Sequence, residues 1–179
     1  MAQSPTGQEV RRVVTGHDAE GRSIIAADTT AAMERPLHEF WITRATPARL
    51  DGPPDLDILP TRLEPPTAGT VMRFVSFRPA QALSREDLEQ MFSSVFASIG
   101  ASHTRVDTQR HPGMHRTRTL DYGIVLAGRV KLLVDNGEVD LKPYDVVIQR
   151  GTNHAWVNSW PEPALMAFVL IDGIEANAT

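Results

Sequence analysis

The segment from His115 to Asn158 constrains the fold of this chain most strongly, because short strand-forming runs make up most of it. These runs are rich in β-branched residues, and Gly, Asn, Asp and Pro separate them. Asn136-Gly137, between two apolar runs, is a strong hairpin signal, since this dipeptide favours the backbone of a tight type I′ turn. Many short antiparallel strands at regular spacing predict an all-β barrel or a two-sheet jelly roll.

Predicted strands continue on both sides of that segment. Before residue 104 the sequence predicts strands at 10–15, 23–27, 38–43 and 69–79. A turn-rich connection at 16–21 is typical of a hairpin. From residue 104 onward the sequence predicts strands alone, at 114–119, 122–126, 129–134, 138–141, 145–149, 154–158 and 164–171. We expect an N-terminal arm at 1–66 that ends in a Pro-rich loop, and a barrel at 67–179.

One helix is predicted within the barrel region, at residues 84–99. Ser84 followed by Asp87 is typical of a helix N-terminus, and Gly100 of a C-terminal stop. Between them, apolar residues recur at helical spacing along one stripe: Leu88, Met91, Phe92, Val95, Phe96 and Ile99. Such a stripe either packs against a sheet, which is the commoner case, or lines a hydrophobic pocket.

Composition limits the classes of function. Of 179 residues, 41% are hydrophobic and 22% are charged, which is ordinary for one globular domain. The net charge of −4 provides no basic field for nucleic acid or anionic lipid, and the lack of cysteine excludes disulfides, thiol nucleophiles and Cys-ligated metals. No apolar run approaches about 20 residues, and the first residues lack an apolar signal-peptide core. We therefore expect a cytoplasmic protein without nucleic-acid or membrane partners.

The spacing between His115, Asp121 and Gly128 matches a motif that is known from one protein family. They fall on the first His, the Glu and the final Gly of the first cupin motif, which reads H-x-H, three or four residues, E, six residues, G. Thr117 stands where the second His belongs, and Gln109 stands where a leading glycine belongs. Asp121 is itself a departure, because it stands where the motif has Glu. With these three departures, the segment resembles a cupin first motif.

A second motif follows in the order that the same family uses. Gly151, His154 and Asn158 match the cupin pattern P-x-G-x-x-H-x-x-x-N, and Gln149 replaces its proline. Two spaced motifs on predicted strands make residues 109–171 similar to the cupins. The resemblance implies a cupin-type double-stranded β-helix, or jelly-roll barrel, to which this chain adds an N-terminal strand arm and one helix.

The resemblance also implies a metal site. In cupins, the motif histidines and the Glu bind one metal inside the barrel, which carries over to His115, Asp121 and His154, while Thr117 cannot replace an imidazole donor. Such a two-His-one-carboxylate set suits a divalent zinc, iron, nickel or manganese ion, and no organic cofactor is implied. Without a metal, the three residues would line a pocket as titratable groups, with Asp121 orienting an imidazole or acting as a base. A third alternative is that they only hydrogen-bond one another.

Four further residues are candidates for contact with a substrate. Trp156 lies two positions after His154, so strand alternation places both on one face, where the indole either stacks on a substrate or fills the core. Thr117 and Gln149 are candidates through their motif positions. Arg73 could enter the pocket and hold a carboxylate, although we expect solvent exposure as the commoner outcome. The remaining candidate histidines are interpreted as surface residues: His17, His103 and His111. For His111 the alternative is a metal ligand or a proton donor.

Two classes of function remain. The resemblance implies an enzyme that uses a metal or a His/Asp pair on a small oxygenated organic substrate, by lyase, isomerase, decarboxylase or dioxygenase chemistry. Its catalytic residues would be His115, Asp121 and His154. The alternative is a cupin that binds a small ligand without turnover and without a metal. We also expect a homodimer, because the N-terminal strands are suited to extending a sheet across a two-fold interface.

Overall fold

Strands dominate the computed structural model, which describes residues 9–32, 36–54, 61–80 and 82–174. One α-helix, α1 (Arg85–Ser98), and a short 3₁₀ helix at Ser102–Thr104 lie between the fourth and fifth strands. In chain order the strands are β1 (Glu9–His17), β2 (Ser23–Ala32), β3 (Leu37–Thr43), β4 (Thr70–Phe77), β5 (Thr119–Ala127), β6 (Val130–Val134), β7 (Gly137–Leu141), β8 (Val146–Arg150), β9 (His154–Val157) and β10 (Ala164–Asp172). The predicted all-β class with one helix is confirmed. Part of the predicted Pro-rich loop, at 55–60, lies outside the described residues.

Two antiparallel sheets form the jelly-roll barrel. One has the strand order β3-β4-β10-β5-β8 and the other has the order β7-β6-β9. Their inner faces meet in one apolar cluster, to which both sheets contribute: Val71, Val125, Val130, Leu132, Leu141, Ala164, Met166, Phe168 and Leu170. Burial of a Val, Leu, Met or Phe side chain contributes about 1.5–3 kcal/mol, so this cluster is the main source of the attraction between the sheets.

The N-terminal strands divide between two sheets. β1 and β2 form a separate hairpin across the predicted connection, where the Asp18 carboxylate accepts the backbone N–H groups of Glu20 and Arg22. β3 instead pairs with β4 and forms one edge of the five-stranded sheet. The predicted arm therefore supplies one strand of the barrel wall. The division at residue 66 stays a prediction.

Alternation along β5 decides which of its side chains reach the interior. Thr119, Asp121 and Val125 are buried, whereas Tyr122 is exposed on the outer face. Gly123 is also buried, and a Cβ atom there would lie 2.9 Å from the ring of Phe168. β5 thus directs the Thr119 hydroxyl and the Asp121 carboxyl into the interior, and the Phe168 ring packs against Gly123 beside them.

The chain ahead of β5 differs from the prediction. The predicted strand at 122–126 is confirmed as part of β5, whereas the one at 114–119 is wrong, because the chain ahead of β5 pairs with β9 only through an isolated bridge between His115 and His154. The reason is the Pro112-Gly113 turn: proline cannot donate to a ladder, and the glycine packs so closely that a Cβ atom would lie 2.9 Å from the ring of a neighbouring phenylalanine. After Thr104 the elements of the described chain are all strands, as predicted.

Helix α1 begins and ends close to the predicted residues. The Ser84 hydroxyl accepts the backbone N–H of Asp87, and Gly100 follows the helix in the left-handed conformation at φ 68°. Four residues of the stripe line the barrel cavity, which is the less common of the two predicted outcomes: Phe92, Val95, Phe96 and Ile99. At 14 residues α1 is short, and no helix in the described ranges has the length and apolarity that a membrane span requires.

Candidate active site

A cavity of about 180 Å³ lies inside the barrel, with α1 contributing to its wall. Most of its lining is apolar: Leu37, Leu63, Val75, Phe77, Phe92, Val95, Phe96, Ile99, Trp156, Phe168 and Leu170. The polar side chains on the wall are those of Arg73, His115, Thr117, Asp121 and His154. The structure therefore brings all the predicted site residues to this cavity except Gln149.

His115 and His154 face each other across the isolated bridge. Their backbones exchange two hydrogen bonds of 2.8 and 2.9 Å, and their ring centroids lie 4.3 Å apart. Each ring Nδ1 lies beside the carbonyl oxygen of the residue two positions earlier, at 3.0 Å for His115 and 2.9 Å for His154. Burial lowers the pKa of both histidines, and the neighbouring His115 helps to lower the pKa of His154 to about 3. Both imidazoles are therefore neutral near pH 7.

Gln149 lies behind His154 and not on the cavity wall. Its side-chain Nε2 is 2.6 Å from His154 Nδ1 and 2.7 Å from the carbonyl oxygen of Thr152. The Thr152 hydroxyl donates to Gln149 Oε1 at 2.9 Å, so the amide is held at both ends. Because a carbonyl oxygen only accepts, the amide nitrogen has to face Thr152. The Gln149 amide nitrogen and His154 Nδ1 thus share the Thr152 carbonyl oxygen as acceptor, and the position of Gln149 does not support the predicted contact with substrate.

Thr117, Thr119 and Asp121 form a connected row. The Oγ1 atoms of the two threonines lie 2.7 Å apart, and the side chain of Thr119 hydrogen-bonds the carboxyl of Asp121. Asp121 Oδ1 is buried without a hydrogen-bond partner in the described part of the chain. Burial raises the pKa of Asp121 from 3.8 to about 6, against the opposing effects of Thr119 and Arg73. A carboxyl with this pKa can take or give a proton near neutral pH.

Arg73 is buried, and the expectation of solvent exposure is wrong. Its side chain is 2% exposed. Nη2 donates to the Arg62 carbonyl oxygen at 2.7 Å and forms an ion pair with Glu39 Oε1 at 3.2 Å, whereas Nε and Nη1 have no partner among the described residues. The physical reason is strand alternation, since β4 also turns Val71 inward and position 73 lies opposite Glu39 of β3. A buried guanidinium stays charged, so the cavity wall carries a fixed positive group.

The donors implied for a metal do not converge. No three His, Asp or Glu side chains within the described ranges are placed so that they could hold a metal ion. Asp121 interacts with Thr119 and Arg73, and the Thr117 hydroxyl is engaged by Thr119. The residues present therefore do not fit the two-His-one-carboxylate centre that the motifs imply. A bound metal stays a prediction, which elemental analysis of the purified protein would test.

Aromatic rings join the histidines to the apolar wall. The ring of Phe96 lies 4.9 Å from that of His115. On the other side, Trp156 lies 5.7 Å from His154 and 5.3 Å from Phe168, both in edge-on geometry. Alternation in β9 thus places the indole and the imidazole together, as predicted. The rings form a continuous apolar side of the cavity.

The other candidate histidines do not line the cavity. His17 is exposed at the end of β1, and His103 lies at the surface with its Nε2 2.8 Å from a Glu64 carboxylate oxygen. His111 is partly exposed and partly buried: its ring packs at 5.5 Å from that of Phe92, and its Nδ1 accepts the Gly113 N–H. None of the three touches the polar groups of the cavity.

Sequence reasoning did not single out Thr119 or Glu39. Thr119 continues the period-two series of Thr117 and Asp121, so strand alternation alone could have identified it. No local signal marks Glu39, because its pairing with Arg73 depends on the register between β3 and β4.

Comparison with known proteins finds curated relatives over most of the chain. It is 30% identical over 177 residues to the cupin-domain-containing oxidoreductase fogC of Aspergillus ruber, with 91% of this chain and 72% of that protein covered. It is 30% identical over 169 residues to phomopsin biosynthesis cluster protein C' of Diaporthe leptostromiformis, with 87% and 74% covered. A solved Cupin 2 conserved barrel domain protein from Salinispora arenicola matches at 18% identity and a TM-score of 0.37, over 65% of this chain and 71% of that chain. No family model matches. Both sequence matches extend well beyond the segment 109–171 that carries the motif resemblance.

Proposed function

Because this chain belongs to the cupin superfamily, we propose that its barrel cavity is the active site of a small-molecule enzyme that transfers a proton on its substrate. One observation carries the proposal: Asp121 Oδ1 and two nitrogens of Arg73 are buried beside an apolar cavity without partners in the described residues. A buried polar group without a partner costs about 1–3 kcal/mol. Retaining both groups supports a ligand that satisfies them.

Asp121 is the proposed proton-transfer group. With a pKa of about 6 it is mostly ionised at pH 7 and can accept a proton from carbon next to a substrate carbonyl. The C–H electron pair then moves onto the carbonyl oxygen, and the guanidinium of Arg73 stabilises the resulting enolate. Return of the proton to another atom gives an isomerisation, and loss of a neighbouring leaving group gives a lyase reaction.

His115 and His154 are proposed to orient the substrate. Both rings are neutral and held through Nδ1, so they can hydrogen-bond an oxygenated substrate without adding charge to the cavity. The relatives are named as cupin-domain-containing oxidoreductases and biosynthesis cluster proteins, which supports a biosynthetic substrate here. An oxidation would need an electron acceptor in addition to these residues.

Exchange of substrate hydrogen with solvent tests the proposal before the product is known. The protein is incubated in D₂O with a panel of small ketones, 1,3-diketones and keto acids, and loss of the C–H signal next to the carbonyl is followed by NMR. We expect protein-dependent exchange that falls by about 10²-fold or more in Asp121→Asn, the usual contribution of a general base. The matched control is Tyr122→Phe, since Tyr122 is the next residue of β5 but faces outward. Exchange that Asp121→Asn leaves unchanged contradicts the proposal.

A cupin that binds a ligand without turnover is the second candidate. It is favoured by the lack of converging metal donors in the described ranges, which leaves the cavity with binding groups but no three-ligand centre. Tight binding of a small molecule without exchange of any C–H in the panel would support it.

A further inference from the structure

We infer that the cavity takes a small organic anion, whose charged oxygen binds Arg73 and whose flat apolar body lies against the rings of Phe96, Trp156 and Phe168. This deepens the proposed function by naming the substrate class, and it rests on that function for its choice of cavity. It concerns binding alone, so it can be tested without turnover.

The first step is the unfilled hydrogen-bonding capacity of Arg73. Among the described residues, Glu39 is the one carboxylate that forms an ion pair with it, through Nη2 at 3.2 Å. Nε carries one proton and Nη1 carries two, and neither nitrogen has an acceptor in the described part of the chain. An ionised oxygen is the acceptor that a guanidinium binds most strongly. A buried cation with three unused N–H groups on a cavity wall therefore favours an anion over a neutral or cationic ligand.

The second step is that Asp121 does not use these N–H groups. Arg73 lies opposite Phe168 of β10, whereas Asp121 lies opposite Leu170, two residues further along that strand. The two groups are close enough to influence each other electrostatically, yet Asp121 Oδ1 also lacks a partner in the described ranges. Two complementary groups are thus left unsatisfied in one cavity. A ligand with an anionic oxygen at Arg73 and a hydroxyl or acidic C–H at Asp121 would satisfy both.

The third step is the size and lining of the cavity. Its volume of about 180 Å³ exceeds the roughly 150 Å³ of an engineered protein cavity that binds benzene, so one six-membered ring with a carboxylate or enolate is of suitable size. The rings of Phe96, Trp156 and Phe168 give this body aromatic neighbours. The unused N–H groups of Arg73, the apolar lining and the volume together indicate a compact, mostly apolar monoanion.

Binding of three probes of nearly equal size tests the inference. Benzoate, benzamide and benzylammonium are titrated into the full chain by isothermal calorimetry. We expect benzoate to bind at least about tenfold more tightly than benzamide, since hydrogen bonds to charged groups are the stronger ones, and benzylammonium to bind most weakly. Equal or tighter binding of benzamide or benzylammonium overturns the inference.

A variant pair assigns the preference to Arg73. In the double variant Arg73→Met with Glu39→Gln, both charges of the buried pair are removed together, so that no unpaired charge is left inside. We expect the preference for benzoate to disappear there, to persist in Glu39→Gln alone, and to persist in the matched control Arg78→Met, which changes an exposed arginine just beyond β4. Persistence in the double variant overturns the inference.

If the double variant does not fold, an NMR measurement on the wild type tests the role of Arg73 instead. The Arg73 Nε–H resonance of the wild type should shift on addition of benzoate and not of benzamide, and no shift overturns the inference.

The proposed function and the anionic substrate class can also fail separately. If the wild type catalyses no C–H exchange but prefers benzoate, the proposed function is contradicted and the anionic substrate class is supported. If the wild type catalyses exchange on neutral ketones but does not prefer benzoate, the anionic substrate class is contradicted.

Discussion

At the scale of single residues, burial acts on Asp121 and His154 in opposite directions. It raises the pKa of the carboxyl to about 6 and lowers the pKa of the imidazole to about 3, because a poorly hydrated site penalises whichever form is charged. Between these two values both groups are uncharged. Arg73 is then the one fixed charge among the polar side chains that line the cavity.

The stability of Asp121→Asn relative to the wild type should depend on pH. The pKa of Asp121 is higher in the folded chain than its ordinary 3.8, so its stabilising effect is complete below about pH 3.8 and is lost as pH rises through about 6. The shift of about two units corresponds to about 3 kcal/mol. Urea unfolding at pH 4 and pH 7 should show the wild type losing about that much relative to Asp121→Asn. A difference that does not change with pH would mean that the carboxyl is hydrated.

The sequence predicted some of the site residues better than others. Asp121 and Trp156 reach the cavity as motif spacing and strand alternation indicate, because both signals are local. The burial of Arg73 and its pairing with Glu39 could not be predicted, since they depend on how two strands far apart in the chain align. Gln149 occupies a motif position, yet its contact with a neighbouring histidine depends on the turn between β8 and β9.

At the scale of elements, turn residues made the strands predictable and α1 shows the limit of such patterns. The Asn136-Gly137 signal is confirmed by the hairpin of β6 and β7, where Val134 pairs with Gly137. The apolar stripe of α1 was predicted in its period, but a period does not say whether the buried face meets a sheet or a cavity. The position of the stripe at a cavity depends on the loop that carries His115, because the His115 ring packs against Phe96.

Phe96→Ala should both destabilise the protein and weaken ligand binding. Phe96 is buried, lines the cavity, and lies beside His115 and under the guanidinium of Arg105 at 5.9 Å. Truncation of a buried phenylalanine costs about 3–5 kcal/mol. Urea unfolding should show a loss in this range, and calorimetry should show weaker benzoate binding. Ser93→Ala, an exposed change on the same helix, should alter neither, and an unchanged stability in Phe96→Ala would contradict the packing of α1.

At the scale of the whole molecule, the β1–β2 hairpin is the least supported sheet. An isolated two-stranded sheet is marginally stable in water, yet this one exposes Val13, Ile24 and Ile25. Its described links to the barrel include a hydrogen bond of 3.1 Å from Arg12 to the Phe40 carbonyl oxygen. Such a hairpin is suited to cover by a second copy of the chain, in keeping with the predicted homodimer.

We therefore predict a dimer in solution. Light scattering on the purified protein should give about twice the chain mass of 19.7 kDa. Ile25→Glu should lower that mass towards the monomer, because a charge on an apolar interface must be desolvated. Val106→Glu places the same charge on another exposed apolar position and should leave the dimer intact. A wild-type mass near that of one chain would contradict the prediction.

The bridge between His115 and His154 divides two tasks between different atoms. The main chain of these two residues fastens the loop to β9, whereas their rings face the interior. Any amino acid except proline supplies the same main-chain donors, so the side chains at both positions can be exchanged while the fastening is kept. A barrel of this kind can therefore acquire new chemistry by substitution at these two positions, while the main-chain hydrogen bonds between the loop and β9 are kept.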